Sequence, residues 1–231
     1  MNTKRTFLVY TDHPMCSIDC SDAICDVLNH TGLYEAKMIG PSSFPYIKFT
    51  AENIQDVDCL VMPGGWGDSD QFDKRLSTTK DFVKKYVERG GRYLGVCMGS
   101  YFASYHYYNL LQGFTAKQYI KRKNSTVKKD GPHIVDVKWK TSKLQSMYFH
   151  DGAAFVPTEE QVVAKTKIIS QYTNGDIAAL IQKYEKGTVG VVGPHPEALK
   201  WWFYSQPRIK DNWKDSIRHE LFLDLVHDLL K

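Results

Sequence analysis

The chain has 231 residues, of which 42% are hydrophobic and 24% charged. Those proportions exclude disorder, collagen and coiled coil, and the length suits one domain spanning 1–231. Thirty Lys+Arg against 26 Asp+Glu leave a net charge of +4, too shallow a bias for a nucleic-acid-binding face.

Arg5–Tyr10 reads as a buried strand. The helix pattern of Asp19–His30 follows, with Ile24, Val27 and Leu28 on one face and Gly32 as its stop. Leu33–Ile39 and Asp58–Met62 are the next strands, the latter ending in Pro63-Gly64-Gly65. Thr79–Arg89 is an amphipathic helix that turns Phe82, Val83, Tyr86 and Val87 inward. Tyr93–Val96 is a fourth strand, and a helical stretch runs from Ser100 to Tyr108. Apolar strands separated by helices give a parallel sheet covered on both faces. From about Phe114 the pattern changes to β-rich segments at 114–120, 133–139, 146–149, 153–156, 162–169, 177–183 and 188–192, with no clear helix between them. Asp215–Leu230 closes the chain as one helix, with Ile217, Leu221, Phe222, Leu225, Val226 and Leu229 in a stripe. The expected architecture is an α/β fold: a three-layer α/β/α sandwich on a mostly parallel sheet, flavodoxin-like, with a β-rich extension at about 114–183.

The longest apolar runs, such as Phe7-Leu8-Val9-Tyr10, are too short to span a membrane. Met1–Arg5 leads into a strand rather than the apolar core of an export signal. The expectation is therefore a cytoplasmic protein with no membrane partner and five reduced cysteines. Cys16, Cys20 and Cys25 lack the spacing of a zinc site, so no metal is expected, and structural thiols on a helix surface or core are the favoured reading of Cys20 and Cys25.

In such sheets ligands sit beyond the carboxyl ends of the strands, and three segments fall there. Gly95-Val96-Cys97-Met98-Gly99 has the form of a nucleophile elbow, in which small residues on either side let a tight turn lift the nucleophile clear of the sheet. The turn sets Cys97 near the first free N–H groups of the next helix, which favour thiolate, and offers the Met98 N–H to an oxyanion. The alternative is a buried cysteine in a glycine-flanked turn; the strand–turn–helix context favours the elbow. Gly193-Pro194-His195-Pro196-Glu197 supplies a base and its orienting acid, and the prolines around His195 forbid helix. Pro63-Gly64-Gly65-Trp66-Gly67 brings backbone close to a ligand, with the Gly65 N–H as second oxyanion donor. Gly64, Trp66, Tyr101, Asp12 and Asp151 are expected around the substrate pocket. Cys16, in the loop after the first strand, is a candidate pocket wall.

In this order the three pieces resemble the class I glutamine amidotransferase-like superfamily, whose triad is Cys…His-x-Glu. A closer resemblance is to the amidotransferase-like domain at the N-terminus of eukaryotic biotin–protein ligases and its free-standing versions. It rests on Met62-Pro63-Gly64-Gly65, Gly95 through Ala103, Tyr148-Phe149-His150-Asp151-Gly152-Ala153-Ala154-Phe155-Val156 and Gly193 through Glu197, and spans about residues 5 to 230. The resemblance implies Cys97 as nucleophile, His195 as base and Glu197 as its orienter. It calls for no cofactor and implies a small-molecule or carboxamide substrate. Glutamine-using relatives read Gly-x-Cys-x-Gly-x-Gln, and Tyr101 stands where that glutamine would be. The position of Asp151 is often glycine in the ligase-type branch, so a carboxylate is expected at the pocket rim. No Gly-Arg-Gly-Arg segment for biotinyl-adenylate is present, so biotin ligation is not expected.

Two functions follow: a cysteine-dependent hydrolase or amidotransferase-like enzyme, or a catalytically silent binding or regulatory domain. A related peptidase branch usually has His directly after the nucleophile, where this chain has Met98. The basic run Lys117, Lys121, Arg122, Lys123, Lys128 and Lys129 reads as a solvated hairpin. Trp201-Trp202-Phe203-Tyr204 with Trp213 reads as core packing, with a homodimer or protein-partner surface as the runner-up.

Overall fold

The apolar runs pair into one sheet, twelve strands among the described residues. The structure, a computed structural model, describes residues 4–13, 15–42 and 45–231; Met1–Thr3, part of the expected leaderless start, lie outside that range. In chain order the strands are β1 (Arg5–Tyr10), β2 (Tyr34–Gly40), β3 (Ile47–Lys48), β4 (Cys59–Met62), β5 (Arg92–Val96), β6 (Phe114–Gln118), β7 (Pro132–Trp139), β8 (Leu144–His150), β9 (Ala153–Pro157), β10 (Lys167–Tyr172), β11 (Ile177–Tyr184) and β12 (Gly187–Val192). Across the sheet the order is β3-β2-β1-β4-β5-β12-β11-β10-β7-β8. The first six positions are mutually parallel, and β11 onward is antiparallel. The β6–β9 pair joins sideways, through Phe155 against Ile177.

The helices are α1 (Ile18–His30), α2 (Ala51–Ile54), α3 (Ser69–Arg75), α4 (Lys80–Glu88), α5 (Met98–Phe102), α6 (Glu160–Ala164), α7 (Lys200–Tyr204), α8 (Trp213–Ser216) and α9 (His219–Leu229). Strand alternation feeds two cores. Phe7 and Val9 of β1 and Val61 of β4 pack with Ile24 and Leu28 of α1 and Phe222 and Val226 of α9. Leu8, Tyr10, Leu60 and Met62 face the other way, onto Val83 and Val87 of α4 and Phe102 of α5. Each such side chain, taken from water, contributes about 1.5–3 kcal/mol. With both faces covered, the α/β sandwich with a mostly parallel centre and a β-rich extension is borne out. No helix among the described residues is long and apolar enough to cross a membrane.

Three expected elements differ. The helix after the elbow ends at Phe102 rather than Tyr108; the chain turns there because Leu110 and Leu111 N–H groups both bond Ala103 O, at 2.8 and 2.9 Å. The β segment expected at 162–169 is divided between α6 and β10. The closing helix breaks at Ile217, whose backbone is extended (φ −77°, ψ 127°). There the Arg218 guanidinium donates to the carbonyls of Asp215 and Ile217 and to Gln145 Oε1, replacing helical hydrogen bonds.

Candidate active site

Cys97 sits on the turn between β5 and α5 with φ 50° and ψ −108°, a conformation costing a non-glycine residue about 1–3 kcal/mol. The neighbouring glycines explain how the turn closes. A Cβ on Gly99 would lie 1.9 Å from Met62 O, and one on Gly95 would lie 2.5 Å from Gly99 O. Hydrogen bonds then lock it: Cys97 N–H donates to Val192 O at 2.9 Å and Gly99 N–H to Pro63 O at 3.1 Å. The Ser100 hydroxyl lies 2.8 Å from the carbonyls of both Gly95 and Val192. The Cys97 turn is thereby tied to β4 on one side and β12 on the other.

His195 follows β12 and is held by its N–H donating to Tyr148 O at 2.9 Å. Its Nδ1 lies 2.8 Å from Glu197 Oε1. Both side chains are nearly sealed from solvent, at 3% and 0% exposure. Burial alone would lower the imidazole's basicity, but the charges of Cys97 and Glu197 and hydrogen bonds to both outweigh it and raise the pKa. The Cys97 Sγ–H itself donates to His150 O at 3.4 Å. The thiol thus has two neighbours, the imidazole and that carbonyl. Gly64 lies between the two: a Cβ there would meet His195 Cε1 at 2.7 Å and Cys97 Cβ at 3.5 Å.

Neither the Gly65 N–H nor the Met98 N–H has an acceptor among the described residues. The bridge between Gly65 and Cys16 uses the neighbouring groups, Trp66 N–H to Met15 O at 2.8 Å and Ser17 N–H to Gly64 O at 3.2 Å. Both elbow-side donors are therefore free for an oxyanion.

A cavity of about 770 Å³ opens over these groups, lined by Cys97, Met98, Gly65 and His195. Trp66, Tyr101 and Asp151 also line it, as expected for the pocket. Tyr101 donates to Asp151 O at 3.1 Å, and Asp151 Oδ2 accepts from Gln118 Nε2 at 2.8 Å while Oδ1 has no partner. Burial raises the Asp151 carboxyl pKa, with the Gln118 bond pulling the other way. Asp12, expected at the pocket, stands outside it. Its carboxylate is 6% exposed and occupied by Arg75 at 2.7 Å and the Tyr10 hydroxyl at 3.1 Å, so it fastens α3 to β1. Cys16 is not a cavity wall either; its Sγ is 3.4 Å from Tyr10 O inside the core.

Three cavity groups were absent from the sequence-derived set. His150 lines the wall against Trp66, ring centroids 4.9 Å apart; burial, then the charge of His195, lower its pKa to about 4. Trp202 packs edge-on to His195 at 5.5 Å, and its buried indole N–H has no acceptor, which makes this tryptophan part of the site as well as of the local core. Cys20, on α1, also lines the cavity, and its thiol lies 3.0 Å from the same Gly64 position that His195 crowds. Only the His150 position carried a usable signal, since it adjoins Asp151. All five cysteines are free and buried. Burial pushes the Cys16 and Cys25 thiols up to about 12 and raises those of Cys20 and Cys59. Among the described residues no cluster of three or more His, Cys, Asp or Glu is placed to hold a metal.

Residues 52–115 match the family described as "Biotin-protein ligase, N terminal". The biotin–protein ligase of Schizosaccharomyces pombe is 29% identical over an alignment covering 60% of this chain and 25% of the ligase. The chain therefore spans about a quarter of that relative's length. Among solved structures, a candidate GMP synthase component from Thermoplasma acidophilum superposes with a TM-score of 0.61 at 12% identity, covering 98% of this chain and 94% of the other. A glutamine amidotransferase gives 0.60 at 15% identity, covering 96% and 98%. The fold is amidotransferase-like, and the resemblance to the N-terminal domain of biotin–protein ligases is borne out.

Proposed function

We propose that this chain is a cysteine-dependent hydrolase or amidotransferase-like enzyme acting on a carboxamide or related carbonyl. The observation that carries the reading is a strained Cys97 beside a buried His195–Glu197 pair, with two unpartnered N–H groups, Met98 on the same turn and Gly65 on the loop after β4. Cys97 Sγ attacks the carbonyl carbon, and its proton passes to His195. Gly65 and Met98 N–H groups hold the oxyanion. His195, kept in orientation by Glu197, then protonates the leaving nitrogen or oxygen. Water or another nucleophile releases the acyl group from sulfur with His195 as base. In this reading the substrate is a small molecule or carboxamide, the setting is cytoplasmic, and the chain is one domain with no biotin-ligating activity of its own.

The silent-domain reading has one specific observation in its favour: the thiol also donates to the His150 carbonyl, which competes with the imidazole for its proton. Iodoacetamide labelling with peptide mass spectrometry separates the two. An activated nucleophile is modified at Cys97 far faster than at Cys16 or Cys59, and His195→Ala removes the difference. Equal rates at the three thiols near neutral pH would establish the silent domain.

A further inference from the structure

The cavity's charge runs against that of the chain. Thirty Lys+Arg are available, yet none lines the cavity, whereas Asp19, Asp68, Asp130 and Asp151 all do. No ion pair among the described residues engages these four. The Asp68 carboxylate accepts only the Gln71 N–H at 2.9 Å and the Asp151 carboxylate only the Gln118 amide. Lys121 acts on Asp151 from outside the lining. His150, with its pKa lowered to about 4, adds no positive charge at neutral pH. The positive charge of a protonated His195 is opposed by Cys97 and Glu197 next to it.

The walls between these carboxylates are aromatic. Trp66 and Trp201 line the cavity while remaining 65% and 47% exposed, so much of each indole is accessible to an entering group. Indole faces attract cations, and a cleft lined by one sign of charge concentrates ligands of the other sign. Deeper in, the Gly65 and Met98 N–H groups and the Trp202 indole N–H are donors without acceptors. A carbonyl suits the inner end and a cation the outer end. A free α-carboxylate or phosphate finds no lysine or arginine to pair with, and burying it unpaired is costly.

We infer that the cavity takes an amide or ester whose non-reacting end is a cation, an ammonium or guanidinium group, and disfavours carboxylate- and phosphate-bearing substrates. This rests on the reading of the cavity as the substrate site of Cys97. It also gives a reason for Tyr101 at the position where glutamine-using relatives carry glutamine: the pocket is built for a different substrate end.

Matched methanethiosulfonates test it. Their sulfenyl sulfur is taken by the Cys97 thiolate, forming a mixed disulfide and releasing methanesulfinate. Rates at Cys97, followed by peptide mass spectrometry with Cys97→Ser as the site control, are measured for three reagents: 2-(trimethylammonium)ethyl, 2-sulfonatoethyl and methyl. Each is normalised to 2-mercaptoethanol. The methyl reagent reports whether Cys97 is an activated nucleophile at all; the cation-to-anion ratio reports the cavity. The expected normalised ratio is on the order of tenfold or more at low salt. It shrinks toward one in 1 M salt and falls severalfold in Asp68→Asn/Asp130→Asn. A Cys–His ion pair alone would favour the anion, so the sign is diagnostic. A ratio at or below one, or a ratio unmoved by the double substitution, overturns the inference even if the methyl rate shows an activated thiol. A slow methyl rate with a high ratio overturns the enzymatic reading and leaves the cavity's preference for cations standing.

Discussion

Gly64→Ala alters no reacting group, yet it should disable the site. The added methyl would lie 2.7 Å from His195 Cε1, 3.0 Å from Cys20 Sγ and 3.5 Å from Cys97 Cβ. Carbon atoms rest about 3.5–4.0 Å apart, so the imidazole must retreat by roughly 1 Å or β4 must shift. The imidazole has little room to move. Tyr148 and Trp202 pack on it at 5.8 and 5.5 Å, and Glu197 holds Nδ1 at 2.8 Å. Misplacing a catalytic group by about 1 Å costs on the order of 100-fold, and overpacking costs about 1–3 kcal/mol of stability. The assay is the second-order alkylation rate at Cys97 beside a thermal melt. The expected outcome is a folded protein with a lowered Tm and a Cys97 rate reduced by about two orders of magnitude. Adding Cys20→Ala, which relieves the sulfur contact alone, should not restore the rate. A variant with the parent's rate and Tm would refute the argument that Gly64 sets the thiol–imidazole spacing.

Glu197→Gln should lower the basicity of His195, because it removes a charge that raises it. The limb of the Cys97 alkylation profile that reports imidazole titration should move to lower pH. Glu197 Oε2 is buried without a partner, so the new amide strands a donor there and should cost about 1–3 kcal/mol in a denaturant melt. Asp228, whose side chain is 3% exposed, holds Lys140 and Lys167 at 2.7 Å and Lys231 at 2.8 Å, tying α9 to the antiparallel side of the sheet. Desolvation raises its pKa, but the three lysines outweigh that and depress it below the unfolded value. Its contribution is therefore present above the unfolded carboxylate pKa and is lost as pH falls through the folded one. Asp228→Asn should melt earlier at pH 7 by about 1–2 kcal/mol, discounted because the lysines are solvated. The gap between parent and variant should close in acid; a gap independent of pH would dismiss the ion-pair account.

The central strands were legible because Phe7–Tyr10 of β1, all of β4, Tyr93–Val96 of β5 and Val189–Val192 of β12 are buried on both faces and carry no polar side chain but the Tyr10 and Tyr93 hydroxyls. The elbow was legible because its glycines are forced by backbone contacts at 1.9 and 2.5 Å. Short elements escaped for the opposite reason. α3 buries only Phe72, so no periodic stripe exists to find, and its one local signal is the Asp68 side chain accepting from Gln71 N–H. The break at Ile217 depends on Gln145, 73 positions away, receiving Arg218, and a stripe cannot register that. Cys16 and Asp12 were misplaced similarly. Both follow β1 at the carboxyl edge of the sheet, but the Tyr10 carbonyl holds one in the core while Arg75 draws the other away.

The placement of β12 has a consequence for how the protein comes of age. β5, which leads into Cys97, pairs with β12, which leads into the His195 loop, although nearly a hundred residues separate them; Val96 lies opposite Val192. The intervening chain builds the antiparallel half of the sheet and delivers Tyr148, whose carbonyl receives the His195 N–H. Contacts this distant in sequence pay their loop-closure entropy before they are rewarded, and so form late. A nascent chain already holding β1, β4 and β5 has its cysteine but neither imidazole nor closed elbow. In the reading of Cys97 as nucleophile, the thiol is armed only by completion of the sheet, which would spare half-made chains the modification that an exposed thiolate invites.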